Sequence, residues 1–169
     1  MDLVVVRHAI AKTRETFAET GEDDSLRPLI SKGIKRMQRA VRGLKSLVPH
    51  IDVVATSPYV RAAQTADILA GAYSGLTPVF LDCLVPEGER RAVLSWLQMQ
   101  ADDAIIAVVG HEPNLGNLVS WLLGSPDSRF LEFKKGGACR LTWPTHITAG
   151  DAHLLWLLTA GQLRRIGKA

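Results

Sequence analysis

Two arginines and two histidines follow short apolar runs of this sequence. Arg7 and His8 come directly after the first run, Arg61 comes soon after the second, and His111 follows the third with one glycine between. The planar guanidinium of arginine matches phosphate oxygens, and an imidazole can act as a nucleophile or as a hydrogen-bond donor. If the fold brings these four side chains together, we expect them to bind an anion and to do chemistry on it.

The apolar runs predict the strands of a mostly parallel sheet. β-Branched and other apolar residues dominate residues 2–7, 52–56, 77–81 and 104–109, a pattern typical of strands. The last run is apolar on both faces, as a central parallel strand should be. Because ligands bind at the carboxyl ends of the strands in open α/β sheets, the four side chains are expected in one crevice.

Helical patterns separate these strands. We predict one helix over 31–48, one that Ser57 caps and Pro58 opens, one that ends near Gln100, and one from about 113 to 124. Alternating strands and helices predict the α/β class, as a three-layer α/β/α architecture with a mostly parallel central sheet. Two further strands, 138–143 and 153–159, are expected to form a C-terminal hairpin at one edge, so that residues 1–169 make a single domain.

Composition excludes several classes of protein. A hydrophobic content of 47% excludes global disorder, and a net charge of +3 does not indicate a nucleic-acid-coating protein. Cys83 and Cys139 lack metal-ligand spacing and are expected to be free thiols, which suits a reducing compartment. No signal segment or membrane-spanning stretch is recognised, so we expect a soluble, cytoplasmic protein without membrane partners.

Two segments stand apart from this pattern. Residues 9–30 show no clean period and are rich in acidic side chains, which favours a flap beside the site. The helix over 31–48 has a face of six cations and no acidic residue, namely Lys32, Lys35, Arg36, Arg39, Arg42 and Lys45. This face is either simply solvated or a docking surface for an acidic partner or a nucleic acid backbone.

Three motifs at the strand ends resemble those of the histidine phosphatase superfamily. They are Arg7-His8-Ala9, Ser57-Pro58 with Arg61-Ala62 and Gln64-Thr65-Ala66, and Gly110-His111. Family members usually carry Arg-His-Gly, so Ala9 is a departure that should leave the chemistry intact. Arg27-Pro28-Leu29 ahead of Gly33, and His111-Glu112-Pro113, are most similar to the SixA-type phosphohistidine phosphatases.

The resemblance implies a phosphoglycerate mutase-like fold and a role for each site residue. His8 would be the nucleophile that takes the phosphoryl group, while Arg7, Arg61 and His111 would hold its oxygens. Arg27 would be a fifth, phosphate-binding member. Such an enzyme needs neither a metal nor a cofactor, because positioning and positive charge stabilise the phosphoryl-transfer transition state.

The resemblance leaves open whether a carboxylate of this chain acts as general acid. Larger superfamily members place a carboxylate after the third strand, where this chain offers Glu87 and Glu89. An imidazole that leaves from phosphohistidine can be protonated on its far nitrogen, whereas an alkoxide needs an enzymic donor. Glu87 is therefore either catalytic or a partner of the following helix dipole.

The sequence leaves three candidate functions. The leading one is a phosphohistidine phosphatase in signal transduction, whose partner is a phosphorylated protein such as the histidine domain of a phosphorelay. A small-molecule phosphomonoesterase, with Glu87 or Glu89 as general acid, would act on a phosphate ester instead. A non-catalytic phosphate-binding module that docks acidic partners is the third.

Overall fold

The computed structural model describes residues 1–73, 75–125 and 129–168. Its strands are β1 (Asp2–Arg7), β2 (Val53–Thr56), β3 (Val79–Phe80), β4 (Ile105–Gly110), β5 (Ala138–Thr142) and β6 (His153–Leu158). Its helices are α1 (Arg14–Ala18), α2 (Ser31–Leu47), α3 (Val60–Ala72), α4 (Arg90–Leu97), α5 (Asn114–Leu122) and α6 (Ala160–Ile166). None of these described helices is long and apolar enough to span a membrane.

The strands form one mixed sheet in the order β3-β2-β4-β1-β5-β6. β1 to β4 run parallel, and β5 and β6 add an antiparallel hairpin next to β1, as predicted. Arg7 is in register with Gly110. Because this pair is the last of the β1–β4 ladder, His8 and His111 leave neighbouring strands at the same level.

Helices cover both faces of the sheet, which confirms the three-layer architecture. Side chains alternate along β1, so that Val4 and Val6 pack in one core with α2, α3 and α6. Leu3 and Val5 pack on the opposite face with α4 and α5. Both cores reach the strand ends where the site residues lie, which gives those residues rigid supports.

The predicted start of the third helix, α3, is wrong. The helix begins at Val60 after Tyr59, with no side-chain cap, rather than at Ser57 and Pro58. The Ser57 hydroxyl accepts a hydrogen bond from the Tyr59 N–H at 3.2 Å and lies 2.9 Å from His111 Nε2. Ser57 therefore stabilises a turn ahead of the helix, because its hydroxyl is used by the turn and by the site.

Other elements differ in extent. The third strand has two residues instead of the predicted 77–81, because its exposed side chains add little burial at the sheet edge. α4 ends at Leu97, before Gln100. Within 9–30 the chain forms α1 and a 3-10 turn (Asp24–Leu26), and the C-terminal α6 was not predicted.

Both cysteines are free, as expected. Cys139 is buried in β5, whereas Cys83 is half-buried.

Candidate active site

His8 lies immediately after β1 with its ring almost completely buried. Its Nδ1 is 2.7 Å from the carbonyl oxygen of Ala9. Since that oxygen can only accept, Nδ1 carries the proton and Nε2 keeps its lone pair. Burial, together with the neighbouring positive charges of Arg61 and Arg7, lowers the pKa of His8 to about 3. The ring is therefore neutral at physiological pH, as a nitrogen nucleophile must be.

His111 lies beside His8 at the end of β4. The two ring centroids are 5.1 Å apart, and His111 Nε2 is 2.9 Å from the Ser57 hydroxyl. Burial, with His8 and Arg61 nearby, lowers the pKa of His111 to about 2. A neutral His111 can donate one hydrogen bond to an anion, and the serine hydroxyl can rotate to complement either tautomer.

Arg61 is almost fully buried in the first turn of α3. Its Nη1 donates to the backbone carbonyl of Asp24 at 2.7 Å, and its Nη2 lies 3.1 Å from the Asp24 carboxylate. The guanidinium also stacks over the Tyr59 ring, with Cζ 4.9 Å from the centroid. Arg61 is thus held by contacts on several sides.

Arg27 meets the same carboxylate. Its Nε lies 2.7 Å from Asp24 Oδ1, and its Nη1 donates to the Lys12 carbonyl at 2.7 Å. Asp24 therefore joins the two guanidinium groups, and its own pKa is lowered by the hydrogen bond from Arg27 and the charge of Arg61, against the effect of burial. The acidic segment 9–30 thus lies against the site, where it was predicted.

Arg7 is oriented from the C-terminal half of the chain. Its Nη1 donates to the carbonyl oxygen of Phe133. Glu112 holds that segment, because its carboxylate accepts from the Phe133 N–H at 2.8 Å and pairs with Arg129 at 2.8 Å. Glu112 connects the end of β4 to the backbone that positions Arg7.

Two polar residues of α3 join the segments that carry the site. Thr65 accepts from the Ala9 N–H at 3.0 Å and donates to the Arg61 carbonyl at 2.7 Å. Gln64 accepts from the Leu29 N–H at 2.8 Å. Gln64 and Thr65 of the second motif therefore connect α3 to two segments: the backbone that follows β1 and the backbone that follows Arg27.

The site residues open into one pocket of about 370 Å³. It is lined by Arg7, His8, Thr13, Arg14, Glu15, Arg27, Arg61, Pro86, His111, Glu112 and Lys135. The structure thus brings together all five residues that the sequence assigned to nucleophile and phosphate.

Three buried nitrogens of this pocket lack hydrogen-bond partners among the described residues: Arg7 Nε, Arg61 Nε and His111 Nδ1. Buried donors are nearly always satisfied, because an unmet donor destabilises a protein by about 1–3 kcal/mol. The three residues that carry these nitrogens line the pocket around the neutral His8 imidazole, and their cationic and polar groups are suited to an oxyanion.

The two candidate acids lie outside this pocket. Glu87 is exposed and lines a neighbouring pocket of about 400 Å³ that shares Arg14 and Pro86 with the site. Glu89 immediately precedes α4 and lines a third, separate pocket. Of the two, Glu87 is the one whose pocket shares residues with the site.

Several contributors were not identified from the sequence. Asp24 was seen only as part of an acidic segment, although its three-residue spacing from Arg27 in a turn was a signal. Glu112 was seen only as part of a motif, because its partners Phe133 and Arg129 lie far along the chain. Lys135 belongs to no motif and was not singled out. No group of three His, Cys, Asp or Glu side chains suited to a metal ion occurs in residues 1–73, 75–125 and 129–168.

The sequence and the fold are similar to those of known proteins. A sequence model of the histidine phosphatase superfamily (branch 1) matches residues 3–85. An uncharacterized protein from Picosynechococcus sp. is 37% identical over 163 residues, which cover 95% of this chain and 96% of the relative. The phosphohistidine phosphatase SixA of Escherichia coli is 28% identical over 125 residues, 72% of this chain and 74% of that one.

A solved structure of the protein histidine phosphatase SixA with tungstate superimposes with a TM-score of 0.82 at 25% identity. The match covers 96% of this chain and 99% of that chain. The chain belongs to the histidine phosphatase superfamily, and its architecture is the phosphoglycerate mutase-like fold of SixA.

Proposed function

We propose that this protein is a phosphatase that removes the phosphoryl group from phosphohistidine on a protein, through a covalent intermediate on His8. The observation that carries the proposal is the neutral His8 imidazole, with Nε2 unprotonated, in a pocket that three arginines line: Arg7, Arg27 and Arg61. The tungstate complex of the SixA homologue supports it, because tungstate is an oxyanion like phosphate.

The first step transfers the phosphoryl group to the enzyme. The Nε2 lone pair of His8 forms a bond to phosphorus while the bond from phosphorus to the substrate imidazole breaks. The electron pair of that bond returns to the leaving nitrogen, whose ring departs neutral when its far nitrogen is already protonated. Arg7, Arg61 and His111 offset the negative charge on the three phosphoryl oxygens.

The second step returns the enzyme to its starting state. Water attacks phosphorus, the bond from phosphorus to Nε2 breaks, and the electron pair returns to His8. Because Nδ1 keeps its proton against the Ala9 carbonyl, His8 leaves as a neutral imidazole without an acid. The products are inorganic phosphate and the proton that the water releases.

The test is to trap the intermediate. Purified protein mixed with labelled phosphohistidine should acquire a label that is stable in alkali and labile in acid, and His8→Ala should acquire none. His8→Ala should fold like the wild type by circular dichroism, and chelation by EDTA should leave wild-type turnover unchanged. Full turnover in His8→Ala would exclude this mechanism, and loss of turnover with EDTA would indicate a metal phosphatase.

A small-molecule phosphomonoesterase is the second candidate. The position of Glu87 in a pocket that adjoins the phosphate pocket favours it, because an alkoxide leaving group needs a proton donor there.

A further inference from the structure

Another pocket, on the side of α2 and α6, adjoins the active site. It has a volume of about 210 Å³, and four cationic side chains line it: Arg36, Lys134, Lys135 and Arg164. We call it the basic groove. Its remaining lining is small or apolar, and no carboxylate belongs to it.

Most of its charge is not neutralised within the chain. Lys134 pairs with Glu132 at 3.1 Å. Arg36, Lys135 and Arg164 form no ion pair with any residue in the described ranges 1–73, 75–125 and 129–168. Three cations that converge without a counter-charge repel one another, and an anion in the groove would relieve that repulsion.

The basic groove is continuous with the catalytic pocket. Lys135 lines both of them, and the N–H of Gly136 is 3.1 Å from the carbonyl oxygens of Arg7 and of His8. Burial, with the positive charges of Arg7 and Arg27 next in effect, lowers the pKa of Lys135. Only the turn at Lys135 and Gly136 therefore lies between the groove and His8, the proposed nucleophile.

The neighbouring pocket that shares Arg14 and Pro86 with the site carries the opposite charge. Glu22 and Glu87 line it, together with Asp24, whose carboxylate already pairs with Arg27 and Arg61. A macromolecule that places its phosphoryl group at His8 thus meets the cations of the basic groove in one adjoining pocket and the carboxylates of Glu22 and Glu87 in another. Such polarity orients a charged partner, because the reversed orientation would bring like charges together.

We propose that the basic groove binds acidic side chains that flank the phosphohistidine of a protein substrate, an inference that rests on the proposed function. The enzyme thereby selects partners by an acidic patch beside the target histidine. On α2, Lys32 and Arg39 share the face of Arg36, at helical spacings of four and three residues, and extend the positive surface. The exposed Lys35 and Arg42 lie about 80–120° around the helix from Arg36 and do not line the groove.

The test uses two synthetic peptides that carry one phosphohistidine, flanked by glutamates in one and by glutamines in the other. At low ionic strength the wild type should show a KM about three- to tenfold lower for the glutamate peptide, and salt should remove the difference. Arg36→Glu/Arg164→Glu should lose this preference. Lys35→Glu/Arg42→Glu changes the net charge by the same amount at exposed positions outside the groove, and this variant should keep the preference.

Free phosphohistidine separates this proposal from the proposed function. Both double variants should hydrolyse it at the wild-type rate, because neither changes a residue of the phosphate site. If the wild type hydrolyses free phosphohistidine but treats both peptides alike, or if both variants lose the preference equally, the groove proposal is wrong and the proposed function stands. If neither free phosphohistidine nor either peptide is hydrolysed, the proposed function is wrong.

A nucleic acid is the competing occupant. A single-stranded oligodeoxynucleotide should inhibit hydrolysis of the glutamate peptide weakly and equally in wild type and Arg36→Glu/Arg164→Glu. Strong inhibition that this variant alone abolishes would assign the groove to a nucleic acid backbone and overturn the proposal.

Discussion

Single residues of this site combine a neutral imidazole, the proposed nucleophile, with cations that are already oriented. His8 is held neutral by burial and by the arginines around it, and one hydrogen bond sets its tautomer. Arg61 and Arg27 are fixed by Asp24 before any ligand binds. Because positioning supplies much of the catalysis in phosphoryl transfer, Asp24 is expected to act through the two arginines as a positioning residue.

Asp24→Ala should therefore lower kcat about tenfold or more with free phosphohistidine, since the guanidinium groups lose their common anchor. KM should change less, because removing a negative charge beside the site partly compensates in phosphate binding. Steady-state kinetics and calorimetric titration with inorganic phosphate would measure the two effects.

The matched control is Asp23→Ala. Asp23 is exposed and caps the same 3-10 turn through the Ser25 N–H, without contacting either arginine. Equal losses in both variants would show that the turn alone matters.

Glu87 decides between the two enzyme candidates. A leaving imidazole can carry its own proton, but an alkoxide cannot. We expect Glu87→Gln to leave phosphohistidine turnover within about twofold of the wild type, and alkyl phosphates to be poor substrates of both proteins.

Glu89→Gln is the control, because Glu89 lies in a separate pocket. A loss of about a hundredfold in Glu87→Gln alone, with good wild-type activity on an alkyl phosphate, would make Glu87 the general acid of a phosphomonoesterase.

At the scale of elements, β1 and β4 place the two histidines, and segments outside the strands and α-helices hold the arginine side chains. The register of Arg7 with Gly110 fixes the relative position of His8 and His111. Arg7 itself depends on the segment that follows residue 128, through the Phe133 carbonyl, and Glu112 holds that segment to the end of β4.

Glu112→Ala should both destabilise the protein and slow the reaction. It leaves the Phe133 N–H and Arg129 without their acceptor, so we expect the free energy of unfolding to fall by about 1–3 kcal/mol. Turnover should fall about tenfold as Arg7 loses its fixed orientation. Urea unfolding and steady-state kinetics would measure both.

Glu132→Ala provides the comparison. Glu132 is exposed on the same segment and pairs only with Lys134 among the described residues, so its loss should change stability by less than about 0.5 kcal/mol. Full activity in Glu112→Ala would mean that Arg7 needs no such support.

At the scale of the whole molecule, the fold keeps two imidazoles buried among cations. The pKa values of His8 and His111 are lowered to about 3 and about 2, against about 6.5 in an unfolded chain. Between about pH 6.5 and pH 3 the unfolded state therefore binds protons that the folded state does not. Stability from these residues is fully present above pH 6.5 and is lost as the pH falls through that window.

Lowering the pH from 7.5 to 5.5 should thus reduce the free energy of unfolding by about 1 kcal/mol for each of the two histidines. Urea unfolding at the two pH values would measure it. His8→Gln should lose about half of this dependence, and His8→Gln/His111→Gln most of it. An unchanged pH dependence in the double variant would show that other groups are responsible.

The sequence by itself determined the strands, their order of succession and the residues at their ends. Strand and helix periods are local, and the arginines and histidines of the three motifs stand at or shortly after the ends of β1, β2 and β4. The α/β architecture and the convergence of Arg7, His8, Arg61 and His111 could therefore be predicted. The hairpin and its edge position could also be predicted from the change of pattern.

Only the tertiary structure decided which contacts hold those residues. Asp24 binds Arg61 across 37 residues of sequence, and Arg7 reaches Phe133 across 126. Such pairings leave no periodic signal, because they depend on how loops pack rather than on local propensity. The same reason moved Ser57 from a helix cap to a turn beside His111, and it placed Lys135 and Arg164 next to Arg36 in the basic groove.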